Sequence, residues 1–107
     1  MNIRLGSAAR IEFIEAFVWY LEKSLETANA FELEMEASFF ELAAFPNLPQ
    51  VVLRKRNLSI RKFLIKSFPY VLYYTEHPQG TILILAIAHG KREPGYWMER
   101  IPDNDSD

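Results

Sequence analysis

Residues Ile82 to Ala88 form an unbroken run of seven apolar side chains. A strand with one wet face alternates apolar and polar residues, so a run without alternation needs cover on both faces. Such a strand belongs in the middle of a sheet. At 107 residues the chain has room for one core and not for two. The covering layers must therefore come from short elements elsewhere in the chain, and the upstream pattern supplies them.

From Ser7 the apolar residues recur at helical spacing: Ile11, Ile14, Phe17 or Val18, Leu21 and Leu25. Glu12, Glu15, Glu22 and Glu26 fall largely on the other side, facing water, and Ser7 has the chemistry of an N-cap. A second helical pattern starts at Thr27 or Ala28, with Phe31, Met35, Phe39 and Leu42 on its apolar side. Pro46 and Pro49 end it. The short link around Ser24–Thr27 predicts an antiparallel helix hairpin whose apolar stripes need a sheet to bury them.

Residues 2–5 suit a short first strand. Val51–Leu58 and Ile60–Lys66 are rich in β-formers and positive charge, and Ser67-Phe68-Pro69 breaks the run. Tyr70–Thr75 and Thr81–Ala88 follow, separated by a turn over Glu76–Gly80. The pattern predicts an α+β fold in the order β-α-α-β-β-β, an N-terminal helix hairpin packed on a mainly antiparallel sheet. Residues 1–101 read as one domain. Residues 102–107, with Asp103, Asp105 and Asp107, read as an acidic disordered tail.

The chain has no cysteine, which excludes a disulfide scaffold, thiolate metal sites and a cysteine nucleophile. The N-terminus carries no signal-peptide pattern and no apolar run approaches a membrane span, so a soluble, cytoplasmic protein is expected. His77 sits in a turn and reads as exposed. Two distant histidines without paired acidic ligands argue against a metal site. No glycine-rich phosphate loop or nucleotide fingerprint is present, and no cofactor is expected.

Charge is distributed unevenly. Residues 1–50 hold three basic and eight acidic side chains, whereas residues 51–100 hold nine basic and three acidic ones. A basic second half suits phosphates or an acidic partner peptide. Three groups could carry chemistry. Arg54, Lys55 and Arg56 lead into Arg61, which by strand alternation shares a face with Phe63 and Ile65. Its guanidinium could clamp a phosphate or carboxylate, or the whole cluster could decorate a strand edge against aggregation. His89, with Lys91 and Arg92, ends the buried strand; by strict alternation it shares the side of Leu83, Leu85 and Ile87. Its imidazole could act in acid–base catalysis or simply make a structural hydrogen bond. Tyr96, Trp97 and Arg100 could stack on bases or pack back on the sheet.

These residues together resemble the RelE/ParE superfamily of toxins from bacterial type II toxin–antitoxin modules. The resemblance runs over residues 3–101 and is carried by Trp19-Tyr20, Ala30-Phe31, Phe45-Pro46, Arg61, Phe68-Pro69-Tyr70, Tyr73 or Tyr74, and Ile84 to Arg92. It closes on Pro94, Tyr96-Trp97 and Arg100. It implies the fold derived above and a cognate antitoxin as partner. It also implies one of two activities. RelE-like members cut messenger RNA on the ribosome, and Arg61, His89, Arg92 and Tyr96 would then be catalytic. ParE-like members block DNA gyrase by binding, with Arg54, Lys55, Arg56, Arg61, Lys91, Arg92 and Arg100 as the expected binding residues here. An isoelectric point near 5.7, no evident carboxylate beside His89, and the Tyr-Trp-x-x-Arg ending favour the ParE-like branch. A degenerate member that binds antitoxin without toxicity is a third reading.

Overall fold

The computed structural model describes residues 2–77 and 80–102. The chain runs β1 (Asn2–Leu5), α1 (Ser7–Lys23), α2 (Leu25–Ala44), β2 (Val51–Lys55), β3 (Leu58–Leu64), β4 (Tyr70–Glu76) and β5 (Thr81–His89), then a 3-10 turn at Met98–Arg100. The strands lie side by side in the order β1-β5-β4-β3-β2. Only the β1–β5 pair is parallel. The α+β class and the helix hairpin on a mainly antiparallel sheet are as the sequence pattern predicts. Pro78 and Gln79 of the expected turn, and all of the expected acidic tail except Pro102, lie outside the described residues.

The sheet holds one strand more than the predicted order, because the basic stretch 51–66 folds into two. Arg56 and Asn57 turn the chain between β2 and β3 with φ of 54° and 66°, the left-handed pair that a two-residue hairpin turn demands. Neither glycine nor proline marks this turn, so the strand pattern reads through it.

A single residue joins the helices. Ser24 donates its N–H to the Tyr20 carbonyl, closing α1, and its Oγ accepts the Thr27 N–H at 3.2 Å, opening α2. The second helix therefore begins earlier than its apolar pattern. Phe13 lies against Phe39 and Tyr20 against Phe31, which fixes the hairpin as antiparallel. At the other end of α1 the cap position belongs to Gly6 rather than Ser7, with no side-chain bond. A Cβ on Gly6 would stand 3.2 Å from the Ile84 carbonyl oxygen, so the crossing from β1 into α1 favours a residue without a side chain.

Strand β5 is covered on both sides. Toward the helices, Leu72, Tyr74, Ile82, Ile84 and Ile87 pack with Phe31, Met35 and Leu42 of α2 and with Ala9, Ala16 and Tyr20 of α1. On the far side the C-terminal segment provides the cover: Trp97 and Ile101 close over Leu58, Ile60, Leu83, Leu85 and Ala86. Trp97 stacks on Tyr73 with ring centroids 4.5 Å apart.

Two expectations fail here. The face of α1 turned to the core is Ala9, Phe13, Ala16, Phe17 and Tyr20, so Phe17 alone of the predicted stripe packs inward, whereas Ile11, Ile14, Val18, Leu21 and Leu25 are 42–63% exposed. Alanines at positions 9 and 16 let the helix sit close on β5, which a stripe of branched side chains would prevent. Second, β5 carries a bulge: Tyr74 pairs with Ile84 and Tyr73 with Ala86, leaving Leu85 as the extra residue. Alternation reverses across it. His89 thus leaves the sheet on the helix side with Ile87, opposite Tyr70, and not on the side of Leu83 and Leu85.

The hairpin turn gives a stability test. Asn57→Val, which forces a β-branched residue to positive φ, should cost at least about 1 kcal/mol in urea unfolding. Asn57→Gly should leave stability equal or higher. The reverse ranking would contradict the left-handed turn.

Candidate functional site

Strand β1 accompanies β5 only from Thr81 to Ile84. Past that point one edge of the buried strand has no neighbour, and backbone groups there need other partners. Side chains supply them. The Ile87 N–H donates to Glu12 Oε1 at 2.9 Å, and Arg100 Nη1 donates to the Leu85 carbonyl at 3.0 Å. These two side chains also meet fork to fork: Arg100 Nη1 to Oε1 and Nη2 to Oε2, each at 3.0 Å. The Tyr96 hydroxyl donates to Oε2 at 2.7 Å. Every lone-pair direction of Glu12 is thereby engaged from three separate parts of the chain.

The Glu12 side chain is 11% exposed and that of Arg100 25%, so this pair is shielded far better than a surface ion pair. Burial works against the Glu12 charge, but the hydrogen bonds from Arg100, Tyr96 and the Ile87 N–H outweigh it and hold the carboxyl below its ordinary range. The hydrogen bond to Glu12 makes Arg100 still harder to deprotonate. Burial, followed by the bond to Glu12, pushes the Tyr96 hydroxyl up. The helical reading had turned Glu12 to water. The available signal was its position between Ala9 and Ala16, on the small-residue face that approaches the sheet.

Beside this node lies a cleft of about 430 Å³. Ala16, Trp19 and Tyr20 of α1, Pro69 and Tyr70, and Ile87 line it, with Glu12, Glu15, His89 and Arg92 supplying the polar groups. His89 stands edge-on to Tyr70 at 5.2 Å, and its Nδ1 accepts the Lys91 N–H at 3.1 Å. Acceptance at Nδ1 leaves Nε2 as the nitrogen that can donate into the cleft. Arg92 lies over the Tyr96 ring, 3.8 Å from its centroid, and Arg100 is 5.0 Å from the same ring. His89, Arg92, Tyr96 and Arg100 are thus brought into one neighbourhood, with Lys91 exposed at its rim.

Arg61 belongs elsewhere. It faces the helix side with Phe63 and Ile65, and its Nη1 donates to the carbonyls of Asn47 and Pro49 at 2.9 and 2.6 Å, anchoring the loop after α2. Tyr74 beside it donates to the Pro46 carbonyl at 2.8 Å, and burial pushes its hydroxyl pKa up to about 12. From the pairings Arg61–Tyr74–Ile84 and Tyr70–His89, strand spacing separates Arg61 from His89 by roughly 15 Å. Arg54 donates to Ser59 Oγ at 2.7 Å, and Arg56 to the Ile101 carbonyl at 3.4 Å. With Lys55 they occupy the β2–β3 tip, at the opposite end of the sheet from Lys91 and Arg92. Among the described residues no cluster of three or more histidines and carboxylates could hold a metal. No described helix is long and apolar enough to cross a membrane.

The element order and the helix hairpin on one face of the sheet are consistent with the α+β fold that the RelE/ParE resemblance implies. A family described as ParE toxin of type II toxin-antitoxin system, parDE, matches residues 3–94, and the chain belongs to it. The match takes in Glu12, Arg61, His89 and Arg92 and stops before Tyr96 and Arg100. No curated protein matches the chain. Family membership implies a cognate antitoxin as partner.

The node makes stability depend on pH in a definite direction. Because the Glu12 carboxyl titrates lower in the folded chain, its contribution is complete above the ordinary value of 4.5 and is lost as pH falls through the lowered folded value. At pH 7, Glu12→Gln should destabilise by about 2 kcal/mol, since it leaves the Arg100 charge and hydrogen-bonding groups poorly matched. Urea midpoints should then converge for wild type and variant as pH falls below 4.5 and through the lowered folded value. A gap that stays constant with pH would refute the ion pair.

Proposed function

We propose that this protein is a ParE-like toxin that arrests growth by binding a protein target such as DNA gyrase, and that its cognate antitoxin neutralises it. The observation that carries this reading is the engagement of Tyr96 and Arg100 by Glu12. Acid–base cleavage of RNA needs an acid and a base of suitable pKa within reach of one reacting group. Here the Tyr96 hydroxyl is bonded to a carboxylate and resists ionisation, and Arg100 is held bidentately. Arg61 anchors a loop far from His89. These groups build and stiffen a surface. A cleft with aromatic walls at Trp19, Tyr20 and Tyr70 and with Arg92 at its edge suits an apolar anchor residue accompanied by an acidic one.

Purified protein should inhibit gyrase supercoiling, and His89→Ala should retain inhibition because no proton transfer is involved. Arg92→Glu should raise the inhibitory concentration at least about tenfold, the loss expected of a charge reversal at a binding surface. Untouched supercoiling together with cleavage of messenger RNA on induction would overturn the proposal. A second reading, ribosome-dependent endoribonuclease, draws on His89 and Arg92 lining the same cleft. Under that reading His89→Ala with Arg92→Ala abolishes growth arrest in a protein that remains folded, and gyrase is unaffected.

A further inference from the structure

Strand β4 accompanies β3 only from the Ile60–Thr75 pair onward. Strands β2 and β3 go on pairing past it, Arg54 with Ser59 and Lys55 with Leu58. Residues 54–59 therefore end the sheet as a two-stranded ribbon, closed by the Arg56-Asn57 turn. Side chains alternate along a strand, so Arg54 leaves one face of the ribbon and Lys55 the other, with Arg56 at the turn. Arg54, Arg56 and Asn57 are exposed, and Lys55 is half-buried. Two anchors hold the ribbon in shape. Leu58 is buried under the Trp97–Ile101 cover, and Arg56 Nη1 donates to the Ile101 carbonyl at 3.4 Å. Residues 54–59 line a shallow hollow of about 410 Å³.

The chemistry of this tip selects its partner. Three of its side chains are cationic donors, and its one large apolar residue, Leu58, is 4% exposed. Among the described residues no carboxylate forms an ion pair with Arg54, Lys55 or Arg56. Glu76, lining the adjoining pocket with Asn57 and Ser59, offsets part of the charge on that side. A protein interface centres on an apolar or aromatic anchor, and the tip offers none. Phosphate oxygens need only donors and positive charge. Each guanidinium uses Nη1 in an internal bond, Arg54 to Ser59 Oγ and Arg56 to Ile101, and has further N–H groups to give. Shape then separates the nucleic acids. The major groove of B-form DNA, about 12 Å wide, admits a two-stranded ribbon, whereas that of A-form RNA is too narrow for side chains to read. We propose that the β2–β3 hairpin tip binds duplex DNA through its phosphate backbone, with Arg54, Lys55 and Arg56 as the contacting residues. The tip lies at the opposite end of the sheet from the His89 cleft and does not depend on which target that cleft serves.

The test is fluorescence anisotropy of a labelled DNA duplex of about two helical turns, titrated with the full chain at several salt concentrations. Three phosphate contacts predict that the logarithm of the association constant falls against the logarithm of salt with a slope of about −3. Arg54→Gln with Lys55→Gln changes two side chains outside the core, so circular dichroism should persist. Affinity at low salt should drop at least about tenfold, and the slope should become shallower by about two. Arg10→Gln with Lys23→Gln removes as many charges from exposed positions of the helix hairpin and should change affinity less than about twofold. Absence of wild-type binding at about 50 mM salt would sink the proposal. So would unchanged affinity in the folded tip variant, or an equal loss in both double variants, which would mark attraction by overall charge alone. An RNA duplex of the same sequence bound as tightly as the DNA would contradict the groove fit and overturn it too. Gyrase inhibition is read in a separate assay, so its outcome leaves this result intact.

Discussion

The Glu12–Arg100 pair holds together what the short first strand leaves open. Strand β1 ends at Leu5, and beyond Ile84 strand β5 has an edge without a partner strand. A carboxylate from α1 and a guanidinium from the C-terminal turn take the places of a missing neighbour, one accepting the Ile87 N–H and the other donating to the Leu85 carbonyl. The same pair binds the helix layer on one side of the sheet to the Trp97–Ile101 cover on the other. A polar pair does here what apolar packing cannot, because the groups to be satisfied are backbone donors and acceptors.

The position of the cleft follows from this arrangement. The bulge at Leu85 turns Ile87 and His89 toward the helices, and the close seat of Ala16 on β5 brings Trp19 and Tyr20 to the same place. Tyr96, fixed by Glu12, then serves as a platform for Arg92. The uneven charge of the sequence becomes spatial: carboxylates crowd the outer surface of the helix hairpin, and cations gather at two ends of the sheet.

What was legible in the sequence is what composition alone can dictate. The run from Ile82 to Ala88 announced a strand covered on both faces, prolines 46 and 49 ended the second helix, and packing back on the sheet was one of the two readings open to Trp97. The misread features all arise from tertiary choice. The face of α1 was assigned by its branched aliphatic residues, whereas the side seated on β5 sets Ala9 and Ala16 among the rings of Phe13, Phe17 and Tyr20. The side of His89 was assigned by alternation, which one extra residue reversed. Glu12 was placed in water because its partners lie 75 to 88 residues away along the chain, and no local pattern records them. The Arg56-Asn57 turn lacked the glycine that usually announces left-handed backbone.

That separation in sequence also sets an order of events during synthesis. The first strand has no partner until Thr81–Ile84 exists, and Glu12 has none of its three partners until residues 87 to 100 have been made. The helix hairpin emerges from the ribosome first, closes early on its own aromatic contacts, and waits for the sheet with its underside bare. The outer face of α1, built entirely from local residues, is complete at that stage. The cleft beside His89, which needs both ends of the chain, forms last. A growing chain thus completes its helix surface before the cleft beside His89 exists.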